Sequence, residues 1–147
     1  MRQLAHVDLR RREYIVWSSS RSVAGMWVMN GRFRRLPAGT GPGDLGAAVQ
    51  WALDGSTEGV PQPPLRGAPP PFQPVLDDLG LPTYAKYMTG TRSTTVERDN
   101  DSVVITPYHN GGARGGFVPL PDAATRLDQP DADALGTAVA EALTRST

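Results

Sequence analysis

LGAAVQWALDGST at residues 45–57 and LGTAVAEALTRST at residues 135–147 are nearly the same segment written twice, 90 positions apart and identical at eight of thirteen aligned places. In the first copy Leu45, Ala48, Val49, Ala52 and Leu53 recur at helical spacing and define one apolar face. Leu135, Ala138, Val139, Ala142 and Leu143 repeat that face in the second. Asp44 stands at an N-cap position and Gly55 at a C′ position of the first helix, and Asp131 or Asp133 caps the second just after Pro130. Gly46 and Gly136 occupy the same early place, where glycine weakens a helix. The gain that offsets this is close approach to another backbone.

Upstream, MNGRFRRLP at residues 29–37 aligns with HNGGARGGFVPLP at 109–121, with a four-residue insertion in the second copy. Further upstream lie β-branched and aromatic runs broken by turn residues, at 14–19 and 23–29 in one half and at 93–98 and 102–107 in the other. The turn Asp99-Asn100-Asp101 joins the last two. This order predicts an α+β fold of two pseudo-repeated ββ(β)α units sharing an antiparallel or mixed sheet, with helices packed against it. A single domain spans residues 1–147. Residues 1–13 are an N-terminal tail, 14–57 the first unit, 60–74 a proline-rich linker, and 83–147 a short helix followed by the second unit. The linker, VPQPPLRGAPPPFQP, favours extended polyproline conformation. After it, residues 75–79 form a helical turn, and Thr83 caps a short helix whose apolar face is Tyr84, Tyr87 and Met88.

Composition narrows the function. Lysine plus arginine and aspartate plus glutamate each total 15, so the formal net charge is zero. Phosphate contacts give nucleic-acid binders a basic excess, so nucleic acid is not expected as the primary partner. With no cysteine and only His6 and His109, neither a metal site nor another cofactor is expected. No apolar run reaches transmembrane length and no signal-peptide core is present, which points to a cytoplasmic protein with no membrane partner. The predominance of arginine over lysine and the abundant Gly, Pro and Ala fit a bacterial source.

Catalytic signals are sparse. His109 lies in TPYHNGGARGGF beside Tyr108, Asn110 and Arg114, a setting that would suit a phosphorylated substrate. It matches no phosphate-binding fingerprint, and Ser18, Ser19 and Ser20 lack a nucleophile-elbow context. Arginines cluster at Arg10, Arg11, Arg12 and at Arg32, Arg34, Arg35. Strand alternation puts Arg32 and Arg34 on one side and Phe33 and Arg35 on the other. An enzyme working through His109, or a weak nucleic-acid binder using these arginines, are the alternative readings.

YAKYMTGTRSTTVERDNDSVVITPYHNGGARGGFVPLP at residues 84–121, closed by LGTAVAEALTRS, resembles the immunity proteins of bacterial contact-dependent growth inhibition systems. The earlier DLG-x-AV-x-x-AL-x-x-S at residues 44–56 is in keeping with the same group. The resemblance covers most of residues 14–147, and the proline-rich stretch is longer than the family pattern. It implies a cytoplasmic protein without enzymatic activity that binds the C-terminal toxin domain of a secreted effector, often a nuclease, and blocks it. The resemblance carries over no binding residues. From the sequence itself, Arg32, Arg34, Arg35, Tyr108, His109, Asn110 and Arg114 are the candidate contacts with such a partner, and Trp27, Trp51 and Tyr108 its candidate anchors.

Overall fold

A computed structural model of the chain describes residues 1–64 and 66–147. Leu65, within the predicted linker, lies outside the described residues. The elements run β1 (Arg2–Arg10), β2 (Glu13–Ser22), β3 (Trp27–Pro37), α1 (Pro42–Asp54), β4 (Glu58–Val60), α2 (Gln73–Leu79), α3 (Tyr84–Met88), β5 (Arg92–Asp99), β6 (Ser102–Asn110), α4 (Gly112–Gly115), β7 (Phe117–Pro119), β8 (Thr125–Asp128) and α5 (Ala132–Arg145). One eight-stranded sheet follows the order β3-β2-β1-β5-β6-β7, with β8 also on β6 and β4 on β2. Every pairing is antiparallel except that of β4 with β2. The α+β class with a shared sheet is as the sequence predicts.

The halves meet at the antiparallel β1–β5 pair, and each places its hairpin outward from there. The helices confirm the glycine argument. A Cβ on Gly46 would collide with the carbonyl oxygen of Ala132, and one on Gly136 with that of Pro42. Each glycine thus meets the residue four places before the other glycine, a reciprocal contact that only two bare backbones permit. Beneath this crossing the apolar faces of α1 and α5 cover Ala5, Val7, Val16, Val96, Val103 and Ile105 of the sheet. On the opposite face Ile15, Met29, Val75, Leu76 and Tyr87 form a second core, with Trp17, Phe33 and Phe72 against it.

Several local expectations are corrected. Residues 1–13 are no tail. β1 pairs with β2 and β5 on either side, and Ala5 and Val7 are fully buried. The β1–β2 turn is Arg11-Arg12, both with positive φ (47° and 66°), a conformation usually left to Asn and Gly. The first helix begins at Pro42 with Gly41 as N-cap, so Asp44 lies in its first turn. Gly55 is its C-cap with a right-handed φ, and a Cβ there would strike the Arg32 side chain. For α5 the cap is Asp131, accepting from the Ala134 amide at 2.8 Å. Thr83 caps α3 as expected.

The alignment of residues 29–37 with 109–121 also fails. Asn30-Gly31 lies inside β3, whereas Asn110 ends β6, which stands in the sheet where β2 stands in the first half. The proline-rich stretch is more than a linker. Val60 ends β4, Pro74 lies in the first turn of α2, and Phe72 between them packs on Trp17, Tyr84 and Tyr87 with ring centroids 4.9–5.3 Å away.

Candidate partner-binding surface

β3 is an outer strand, and its alternation sorts the arginines as predicted. Arg32 and Arg34 face α1 and lie over the Trp51 ring at 4.1 and 3.9 Å, so two guanidiniums hold one indole. Arg32 also donates to the Trp51 carbonyl oxygen near the end of α1, where a cation complements the helix dipole. On the other side of the strand Arg35 bridges Glu13 at 3.0 Å and Asp78 at 3.2 Å, which raises its already high pKa. Phe33, beside it, packs on the second core. Trp51, off the apolar stripe of its helix, is thus an element of this arginine patch.

Tyr108, His109, Asn110 and Arg114 gather at the opposite edge, where β6 runs into the one-turn α4 and β7. Asn110 has an architectural part. Its Nδ2 donates to the Met88 and Thr91 carbonyl oxygens at 2.7 and 2.9 Å, and its Oδ1 accepts from the Gly112 amide. His109 is exposed and its Nδ1 lies 2.8 Å from the Thr147 hydroxyl. Among the described residues, Arg114 makes no hydrogen bond or ion pair, and no carboxylate bonds His109. The structure brings together residues 108–114 but sets β6, which carries or leads into them, four strands away from β3 with Arg32, Arg34 and Arg35.

Other residues stand out only in the structure. Asp8, in the centre of the sheet, is 2% exposed. Its Oδ2 accepts from Trp17 Nε1 at 3.0 Å and from the Tyr87 hydroxyl. Burial pushes the Asp8 carboxyl up, opposed by the hydrogen-bond donors around it. Burial also raises Tyr87 well above its ordinary range, helped by the Asp8 charge, so its hydroxyl stays a donor. His6 stacks on Trp17 with centroids 3.6 Å apart, bonds Ser19 through Nε2, and is pushed down by burial to about 3. The one sequence signal for this cluster was polar residues alternating with Ala5, Val7 and Leu9 in β1. The three serines 18–20 are buried; Ser18 ties β2 to α1 by donating to the Ala52 carbonyl oxygen.

Among the described residues no group of three or more histidine or acidic side chains is placed to hold a metal. No helix among the described residues is long and apolar enough to cross a membrane.

No family model and no curated protein matches the sequence. Solved structures do match in fold. A protein of unknown function, NMB0488 from Neisseria meningitidis, is similar over 100% of this chain and 96% of its own, with a TM-score of 0.78 and 16% identity. A chain of the CdiA-CT/CdiI toxin and immunity complex from Yersinia pseudotuberculosis is similar over 100% of this chain and 98% of its own, with a TM-score of 0.79 and 16% identity.

Proposed function

We propose that this chain is an immunity protein. It binds the C-terminal toxin domain, a nuclease, of a contact-dependent growth inhibition effector in the cytoplasm and neutralises it by covering its active site. It is not itself an enzyme. The observation that carries the reading is the end-to-end likeness in fold to a chain of a toxin and immunity complex. The sequence resemblance over most of residues 14–147 points the same way.

The physical layout suits an inhibitor that works by occupancy. A sheet with packed layers on both faces gives a rigid scaffold, and rigidity lowers the entropy lost on binding. Contacts come from the side chains that project at its edges. Arg114, His109 and Tyr108 offer charge and aromatic surface at one edge, and the Arg32–Trp51–Arg34 stack at the other. Arginine and aromatic residues are the side chains that most often dominate such interfaces. Asn110 and Arg35 act behind these contacts, the first by shaping the loop and the second by fixing β3 to β2 and α2.

The test is co-purification with the C-terminal domain of the polypeptide encoded immediately upstream, carried as tagged bait. A stable one-to-one complex, with rescue of cells expressing that domain, is the expected result. Absence of both complex and rescue removes the reading.

A further inference from the structure

The centre of the sheet's second face holds a half-enclosed cavity of about 220 Å³. Its floor is a two-by-two grid from the central strands, His6 opposite Thr95 and Asp8 opposite Ser93. Its walls are aromatic: Trp17 from β2, Tyr84 from α3, Tyr108 from β6 and Phe117 from β7. The decisive atom is Asp8 Oδ1. It is buried and has no hydrogen-bond partner, although Oδ2 of the same carboxylate has two. Ser93 lies near enough to favour the charged form, yet it makes no hydrogen bond to Oδ1. A buried carboxylate oxygen left unpaired is costly and uncommon in native proteins. Holding Trp17 and Tyr87 accounts for Oδ2 alone.

We infer that this cavity is a binding site for an organic cation, an ammonium or guanidinium head on a short alkyl stem, with Asp8 Oδ1 as its counter-ion and the aromatic rings as its walls. Ring faces are electronegative and attract such cations, most strongly where water is excluded. The position is not already filled from within. Arg10, two residues along the same strand face and also buried, lies over the Tyr87 ring at 5.5 Å and donates through Nε to the Tyr87 carbonyl oxygen; its Nη2 has no partner either, and it makes no ion pair with Asp8. His6 is held neutral by burial and does not repel a cation. A metal ion fits poorly, because a single carboxylate among aromatic walls lacks the several oxygen ligands that hard cations require. The cavity volume accommodates a guanidinium or ammonium head with a few methylenes. The inference stands independently of the toxin-binding reading, since a free amine and a lysine or arginine side chain present the same chemistry.

The Trp17 indole N–H, bonded to Asp8, is the reporter. Nitrogen-15-labelled protein is titrated with methylguanidinium, with n-butylammonium and with n-butanol as a neutral control of similar shape. Both cations should shift the Trp17 indole resonance saturably in the millimolar range, and n-butanol should not. Asp8→Asn should abolish the response. Because Asp8→Asn also tests folding, Tyr84→Ala serves as the second variant. Tyr84 is 42% exposed, so its loss should leave the circular dichroism spectrum unchanged and weaken cation binding several-fold. The inference is overturned if the cations leave Trp17 unmoved, if n-butanol acts like them, or if folded Tyr84→Ala binds as tightly as the parent. Arginine and lysine blocked at both backbone ends then separate the sources. Binding as tight as methylguanidinium assigns the site to a side chain of a partner protein, and binding by the free cation alone assigns it to a small molecule; either supports the site.

Discussion

At Gly46 and Gly136 the side chain is a hydrogen atom because a carbonyl oxygen of the opposite helix occupies the space where a Cβ would stand. Alanine would favour either helix by about 1 kcal/mol in isolation, but here it must push two backbones apart and open the core beneath them. Gly136→Ala is therefore expected to destabilise the protein by about 2 kcal/mol or more. Gly39→Ala, where nothing lies within 4 Å, should change stability by less than about 0.5 kcal/mol. Urea unfolding of the two variants checks both. His6 carries a second prediction at this scale. Its pKa is lowered from 6.5 to about 3, so between those values the unfolded chain holds more protons than the folded one. Stability from this residue rises with pH through that window and is lost as pH falls. Asp8 acts in the opposite sense: its folded-state pKa is raised, so its contribution falls as pH rises above the ordinary carboxylate value. His6→Phe keeps a ring over Trp17 and removes one titration. Its unfolding midpoint should fall less than that of the parent between about pH 7 and about pH 4, with a difference in slope of at most about 1.4 kcal/mol per pH unit. An unchanged slope would mean that His6 titrates normally.

The β1–β2 hairpin shows what an element needs before it can be read. Arg11 and Arg12 both adopt left-handed backbone without the short polar side chains or glycine that mark such turns. With no turn signal after it, and with His6, Asp8 and Arg10 between its apolar residues, β1 reads as a polar tail although it is a central strand. Its polar face is buried because α3 and the proline-rich segment cover that side, and neither covering element is visible from β1 itself. The helices were legible for the converse reason, since period, caps and the costly glycines agree. Of the candidate site, the sorting of Arg32 and Arg34 from Phe33 and Arg35 followed from strand alternation, and the structure bears it out. The Asp8 cluster did not, because it joins residues from strands distant in sequence. The turn makes its own prediction. Arg11-Arg12→Asn-Gly relieves two strained residues and should stabilise the protein by about 1 kcal/mol, read as a higher unfolding midpoint with an unchanged denaturant slope. No gain would mean that these arginines contribute interactions that offset their backbone strain.

Over the whole molecule β3, with Arg32 and Arg34, and β6, which leads into Arg114, stand four strand spacings apart, about 19 Å at ~4.8 Å per strand. A partner surface of ordinary size, about 800 Å² on each side, that centres on one edge leaves the other at its rim. The edges are also differently prepared. Arg32 and Arg34 are already stacked on Trp51, and Arg32 also donates to a backbone carbonyl, whereas Arg114 has no partner among the described residues. Tyr108, near Arg114 in sequence, also lines the Asp8 cavity, so aromatic surface and free charge share the β6–β7 side and border that cavity. If the chain binds a toxin domain as proposed, Arg114→Glu should weaken the complex at least tenfold, about 1.4 kcal/mol. Arg34→Glu should weaken it several-fold less, because a charge at the rim acts mainly on the association rate. Calorimetry of the purified pair at two salt concentrations measures both: the Arg34→Glu effect should shrink as salt rises, and the Arg114→Glu effect should largely persist. Equal losses from both variants would show a toxin that wraps the sheet from edge to edge. Unchanged affinity in both would place the interface on neither edge.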